Sequence, residues 1–292
     1  MVIYTALWYT TGEKIGGVIM INGFLSPKSD LIFKLLFGDM RSIDLLTDFL
    51  KSVLRLPADE YDEVTIVDPH LLREYEGDKL GILDVKVKTK SKKVIDIEIQ
   101  ILPSPQLKQR VVFYSSKMVT EQVGVGESYH NIKRVISIII TDYSLNPGSL
   151  KYHHRFVLYD PENEVEFTDI IEVNTLEMPK LPKVEDGTDL WNWLKFLSAE
   201  RKEDLEMIAE KSPQVKKAVV RLMELSNDER TRLLYESRQK MEWDNQARER
   251  CASNDRAVDI ARHLLAMSMT LDRIAEATEL PIEEIESLQA SN

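Results

Sequence analysis

Apolar and polar residues alternate in two runs of the stretch Gly81-Ile-Leu-Asp-Val-Lys-Val-Lys-Thr-Lys-Ser-Lys-Lys-Val-Ile-Asp-Ile-Glu-Ile-Gln100. A lysine-rich connection joins the two runs. Because residues two apart in a β-strand share a face, each run has one apolar and one polar face. The apolar faces consist of Leu83, Val85, Val87, Ile95, Ile97 and Ile99. The polar faces carry Asp84, Lys86, Lys88, Asp96, Glu98 and Gln100. The stretch therefore predicts an amphipathic β-hairpin.

The register of this hairpin follows from its apolar residues, because a slip by one residue would invert every side chain. A loop at residues 89–93 allows one register that pairs apolar residues throughout: Leu83 with Ile99, Val85 with Ile97, and Val87 with Ile95. That register sets Asp84 opposite Glu98, and opposed Cβ atoms lie roughly 4.5–5.5 Å apart. Such carboxylates repel unless a cation or proton lies between them, so the pair can chelate one hard divalent ion. Gln100, on the same face, can reach a substrate or water beside that ion.

The same pattern also fits a hairpin with only a structural role. In that alternative, Asp84 and Glu98 are solvated residues on an exposed face, and Lys86 and Asp96 form a cross-strand pair. The alternation alone does not decide between the two interpretations.

The order of several motifs resembles a known family. Asp84, a spacer and Glu98-Ile99-Gln100 look like the metal-binding core of the PD-(D/E)XK nucleases. The closest resemblance is to the recombination-promoting nuclease and transposase family of that fold, whose second motif ends in Gln where most relatives carry Lys. Further matching pieces are Ser29-Asp-Leu-Ile-Phe-Lys-Leu-Leu-Phe-Gly38, Asp78-Lys79 and Arg110-Val-Val-Phe-Tyr114. The resemblance covers roughly residues 24–140 well and extends weakly into the C-terminal helices.

This resemblance implies an α/β fold with a restriction-endonuclease-like core, in which helices flank a mixed sheet, and a metal-dependent DNA endonuclease activity. Asp84, Glu98 and the backbone carbonyl of Ile99 would hold Mg²⁺, for which Mn²⁺ can substitute. Gln100 would orient the attacking water or a phosphate oxygen. The first helix of such folds often adds an acidic ligand, and Asp30 is the best match; its alternative role is that of a helix-start residue.

Hydrophobic spacing predicts the other elements of the core. Helices are expected at residues 27–37, 43–54 and 106–123, and strands at 64–67, 134–143, 152–159 and 164–173. The run at 134–143 is nearly all apolar and β-branched, which indicates a central strand buried on both faces. The third helix places Arg110, Tyr114 and Lys117 on one face. If that face looks onto the hairpin, these residues join Lys86 and Lys88 as predicted DNA contacts.

Three regions are expected along the chain: an N-terminal extension at 1–23, a nuclease-like domain at 24–180, and a helical region at 188–292. Charged helices run through Arg250, another helix is expected at 255–267, and residues 271–288 have the spacing of a helix-turn-helix. This last segment carries six acidic residues against Arg273 alone, so phosphates would be repelled. We therefore expect it to pack against the preceding helices or a second subunit, which would make a homo-oligomer, and not to read DNA.

Composition narrows the classes of protein to which the chain can belong. The 292 residues carry a net charge of -11, which argues against a uniformly basic nucleic-acid binder but leaves room for a local basic groove. Cys251 is the single cysteine, so no intrachain disulfide can form. No apolar run approaches the about 20 residues that span a bilayer, and the N-terminus lacks a signal-peptide pattern. A cytoplasmic protein without a membrane partner is expected.

Two other functions stay open at this point. The chain could be a non-catalytic DNA-binding or oligomerisation module whose hairpin is only structural. A true transposase rests on the family label alone, since the sequence shows no acidic triad of the retroviral-integrase type.

Overall fold

The computed structural model describes residues 14–15, 18–19, 24–68 and 84–290. The chain divides into two compact units, Met1–Arg232 and Leu233–Asn292. The predicted pairing of Leu83 with Ile99 and the Asp78-Lys79 motif lie outside the described residues.

Within the described residues of the first unit, six strands form one mixed sheet in the order β3-β4-β5-β6-β8-β7. These strands are β3 (Thr65–Val67), β4 (Val85–Lys88), β5 (Val94–Gln100), β6 (Val135–Thr141), β7 (His153–Asp160) and β8 (Val165–Glu177). The pairs β5–β6 and β6–β8 are parallel, and the other pairs are antiparallel. Two short strands, β1 (Lys14–Ile15) and β2 (Val18–Ile19), pair separately. The predicted mixed sheet is confirmed.

The predicted hairpin is formed by β4 and β5 in the predicted register. Val85 pairs with Ile97 and Val87 with Ile95. These four side chains are at most 2% exposed, and Ile99 is 6% exposed. The period of two and the apolar pairing were therefore sufficient to fix the register.

Helices α1 (Asp30–Phe37), α2 (Ile43–Val53) and α3 (Leu107–Thr120) occupy the three predicted helical segments of the core. The sheet centres on β6, whose seven residues are all buried, as the apolar run predicts. Helix α3 covers one face of the sheet, because Leu107 and Val111 pack against Ile139. Two turns further along, Met118 packs against Val94 and Val135.

The first unit extends past the predicted domain end at residue 180. It also contains α4 (Asp189–Leu197), α5 (Lys202–Lys211) and α6 (Pro213–Asn227). Trp193 explains why: its ring centroid lies 5.6 Å from Phe37 and 6.0 Å from Phe49, and its Nε1 donates to Asp48 at 2.9 Å. Trp193 thus joins α4 to α1 and α2, and the compact unit extends beyond the predicted domain.

Helix α7 runs without interruption from Glu229 to Ala266. The predicted break between residues 250 and 255 is wrong, since Cys251-Ala-Ser-Asn254 contains neither glycine nor proline to end the helix. Helices α8 (Leu271–Thr278) and α9 (Ile282–Ala290) follow. A buried cluster joins them to the end of α7: Ala261, Ile274, Leu280 and Ile285. The prediction that this segment packs on the preceding helix is confirmed. None of the helices described is long and apolar enough to cross a membrane.

Candidate active site

The middle of the hairpin's polar face lies beneath α3 and is buried. Lys86, Asp96 and Glu98 are only 9%, 2% and 8% exposed. The ladder does pair Lys86 with Asp96, but the Lys86 Nζ lies 3.4 Å from Oε2 of Glu121, the residue that follows α3. The alternative of an exposed, solvated hairpin face is therefore wrong. Burying this many charges is costly unless they are paired or bind a ligand.

Asp84 stands immediately before β4, at the level of Glu98 in the neighbouring strand. Its Oδ2 accepts a hydrogen bond from the backbone N–H of Ile99 at 3.1 Å. Its Oδ1 lies 2.9 Å from the Nζ of Lys34 on α1. One oxygen of the carboxylate is thus fixed by the hairpin backbone, and the other is neutralised by a side chain.

Glu98 is held from the opposite side by Arg110 of α3. The Arg110 Nη2 lies 3.4 Å from Glu98 Oε2 and donates to Gln100 Oε1 at 2.7 Å. The Gln100 Nε2 in turn donates to the carbonyl of Leu102 at 3.2 Å. The predicted helix face therefore does bring a cation to the carboxylates, and the same cation fixes the amide of Gln100.

Burial dominates the protonation of the two inner carboxyls. It raises the pKa of Glu98; Arg110 opposes this effect, and the nearby Asp84 adds to it. Burial also holds the pKa of Asp96 well above its usual range, with the charges of Glu98 and Asp84 adding to the rise. Asp96 Oδ1 is buried and finds no hydrogen-bond partner among the described residues. The site is thus a cluster of buried carboxyls in which Asp96 lacks a full set of protein donors.

This arrangement suits a hard divalent ion that takes part of its ligands from water. In an extended strand the N–H and C=O of one residue point toward the same neighbouring strand, so the carbonyl of Ile99 lies on the side of Asp84. In the described ranges, no three His, Cys, Asp or Glu side chains are grouped so as to hold a metal ion. The remaining ligands would then be backbone oxygen and water, which Mg²⁺ accepts because it usually keeps several waters.

The structure does not bring every predicted residue to the carboxylates. Asp30 begins α1, and its Oδ1 accepts from the N–H of Leu31 at 2.5 Å, as a helix-start residue does; its metal-ligand role stays a prediction. Tyr114 packs against the cluster of Val94, Met118 and Val135. Lys88 is exposed at the end of β4, and Lys117 lies in the last turn of α3. The DNA contacts of Tyr114, Lys88 and Lys117 stay predictions, and burial of Lys86 leaves it little reach toward DNA.

Two residues of the site were missed by sequence reasoning. Lys34 belongs to the motif at residues 29–38, where it follows Asp30 by four positions and shares its helix face. Asp96 precedes Glu98 by two positions on the same strand face and was treated only as the partner of Lys86. Both spacings were visible in the sequence, but neither indicates which helix covers which face of the sheet.

Comparison with known proteins confirms the family that the sequence motifs predict. The model of a family described as PD-(D/E)XK nuclease family transposase matches residues 27–251. The matched range includes the hairpin, α1 to α6 and more than half of α7. Nucleases of this kind generally use divalent metal ions, and their substrate is DNA. No curated protein and no solved structure shows a significant match to the chain.

Proposed function

Because the chain belongs to the PD-(D/E)XK nuclease family transposases, we propose that it is a Mg²⁺-dependent DNA endonuclease that hydrolyses phosphodiester bonds. The observation that carries this proposal is the pair of carboxylates on adjacent strands, each held by a cation from a different helix. Burying acidic side chains is costly even when they are paired, so a purely structural role would gain little from it.

In this proposal, Asp84, Glu98 and the carbonyl of Ile99 hold the ion. A bound Mg²⁺ lowers the pKa of a coordinated water and stabilises charge on the scissile phosphate. The backbone N–H of Ile99 keeps Asp84 turned toward β5. Burial of Glu98 beneath α3 excludes bulk water, which strengthens every electrostatic interaction within the site.

Gln100 and Arg110 act on the phosphate. The Gln100 amide is oriented at both ends, since its oxygen accepts from Arg110 and its nitrogen donates to Leu102. The second hydrogen on Nε2 stays available for a phosphate oxygen. The Arg110 side chain is 39% exposed, so its guanidinium can contact the same phosphate while it fixes Gln100.

Nicking of supercoiled plasmid tests the proposal. The wild-type protein is expected to nick the plasmid in Mg²⁺ or Mn²⁺ and to stop when EDTA is added. Asp84→Asn and Glu98→Gln should abolish nicking, whereas Glu162→Gln, an exposed carboxylate in the β7–β8 loop, should behave like the wild type. Nicking by both site variants at the wild-type rate would contradict the proposal.

The family description also favours a role in DNA rearrangement, in which strand cleavage promotes recombination or serves a mobile element. DNA binding without any divalent-dependent cleavage would instead support the non-catalytic module. Cytoplasmic residence and self-association through the C-terminal helices stay predictions; the molecular mass in solution tests the second.

A further inference from the structure

The carboxylate pair is neutralised from two sides by cations of the protein. Lys34 contacts Asp84 at 2.9 Å, and Arg110 lies 3.4 Å from Glu98. Two cations therefore balance two carboxylates. If a divalent ion takes over this balance, the ammonium and the guanidinium add a net positive charge to the site. Hydrolysis of a phosphodiester develops negative charge on the phosphate, so a surplus of positive charge favours the transition state.

The two cations differ in how firmly they are held. Arg110 is tied to Gln100 at 2.7 Å in addition to Glu98, so its guanidinium has little freedom. Lys34 makes one ion pair within the described residues, the one with Asp84. A lysine ammonium on a flexible stem can change partners at small cost. Lys34 is thus the cation that is free to move from a carboxylate to a phosphate.

The backbone beneath Lys34 is fixed by packing, although the side chain itself is partly exposed. The other face of α1 is buried through Leu31, Ile32, Phe33, Leu36 and Phe37. The helix ends at Gly38, where a Cβ atom would lie 3.7 Å from Val85 Cγ2, an ordinary van der Waals distance. The last turn of α1 therefore packs against β4, beside Asp84. The cation is therefore presented from a rigid position.

We propose that Lys34 is a catalytic residue of this site: its ammonium neutralises Asp84 in the metal-free protein and contacts the scissile phosphate once a divalent ion is bound. The inference rests on the proposed function. It also assigns to α1 the cation that the hairpin lacks, since Gln100 is neutral and Lys86 is buried against Glu121.

Two binding measurements test this role without relying on turnover. The first is the affinity for Mn²⁺ alone. Because Lys34 competes with the ion for Asp84, Lys34→Met should bind Mn²⁺ about 2- to 5-fold more tightly than the wild type, as expected for loss of a partly exposed ion pair. The second is the salt dependence of binding to a short DNA duplex in Ca²⁺. Loss of one phosphate contact should lower the slope of log affinity against log salt by about 0.9.

Two further variants make the result specific. Lys34→Arg keeps the charge and should restore the salt slope. Lys202→Met removes an exposed lysine of α5 that pairs with Glu206 at 3.6 Å, away from the hairpin, and should leave both measurements unchanged. The proposal would be overturned if Lys34→Met changed neither the Mn²⁺ affinity nor the salt slope. It would also be overturned if Lys34→Met bound Mn²⁺ more tightly but kept the wild-type slope, because Lys34 would then be a counter-ion only. Failure of the wild type to cleave or to bind Mn²⁺ would instead contradict the proposed function.

Discussion

The two ends of the β4–β5 hairpin each hold buried carboxylates, but the protein treats them in opposite ways. At the loop end, Oε2 of Glu60 accepts hydrogen bonds from the hydroxyls of Thr89 at 2.6 Å and Ser91 at 2.9 Å, and Oε1 binds the ammonium of Lys93. Burial alone would raise the pKa of Glu60, but the hydrogen bonds from Lys93, Thr89 and Ser91 outweigh it and lower the pKa to about 2.

At the other end, burial has a larger effect on the pKa values than the nearby cations have. The pKa values of Glu98 and Asp96 are raised, and Asp96 Oδ1 has no hydrogen-bond partner in the part of the chain described. The comparison teaches that a carboxylate saturated by protein donors stabilises the fold and has no capacity left for a ligand. A carboxylate cluster with too few donors lowers stability and keeps that capacity.

The largest expected effect is on catalysis. Glu98→Gln should reduce the rate of plasmid nicking in Mg²⁺ by about 1,000-fold or more, because a bound metal ion supplies several kcal/mol of charge stabilisation. Glu60→Gln, at the loop end of the same hairpin, should nick at the wild-type rate per folded molecule. Equal losses of nicking activity in both variants would show that the two ends of the hairpin do not differ in function.

The next effect concerns acid stability. The pKa of Glu60 falls from 4.5 to about 2 on folding, so its stabilising contribution is complete above pH 4.5 and is lost as the pH falls toward 2. The shift corresponds to at most about 3 kcal/mol. Urea unfolding at several pH values should show this loss in the wild type and a smaller loss in Glu60→Gln. An identical acid profile in the two proteins would contradict the assigned role of Glu60.

At neutral pH, Glu60→Gln should lower the free energy of unfolding by about 2 kcal/mol, since it removes a charge-assisted hydrogen bond and leaves Lys93 without its anion. The neighbouring Glu63→Gln is a matched control, because Glu63 is exposed. Urea midpoints measured at a constant m-value would check this, and an unchanged midpoint in Glu60→Gln would count against the loop-end interpretation.

The smallest effect has the opposite sign. Glu98→Gln should raise the free energy of unfolding by about 0.5–1 kcal/mol in EDTA at pH 8, because it removes a buried charge close to Asp84. Addition of Mn²⁺ should stabilise the wild type but not the variant. A variant less stable than the wild type in EDTA would show that Glu98, like Glu60, stabilises the fold.

The elements were largely predictable from local spacing. A period of two with apolar pairing gave the hairpin and its register, as Val85 opposite Ile97 confirms. The α3 segment was predicted as well, but the sequence could not tell that α3 covers the polar face, because local periodicity does not specify which face a distant helix packs on. The burial of Lys86 and the raised pKa of Asp96 follow from that packing, so they could not be predicted from the sequence.

The candidate site was predictable in part for the same reason. Glu98 and Arg110 were predicted and do meet, since one is in the hairpin and the other in the helix that follows it. Lys34 lies 50 positions before Asp84, and the contact between them depends on how α1 packs against β4. Likewise, the link of Trp193 to Phe37 and Phe49, which extends the first unit past residue 180, is a tertiary contact that composition could not indicate.

The most direct test of the central claim is the anomalous diffraction of Mn²⁺ soaked into crystals of the protein. We expect a peak between the carboxylates of Asp84 and Glu98, about 2.0–2.3 Å from an oxygen of each, with Lys34 moved away from Asp84. A crystal saturated with Mn²⁺ that shows no peak there, with Lys34 still paired to Asp84 and Arg110 to Glu98, would contradict it.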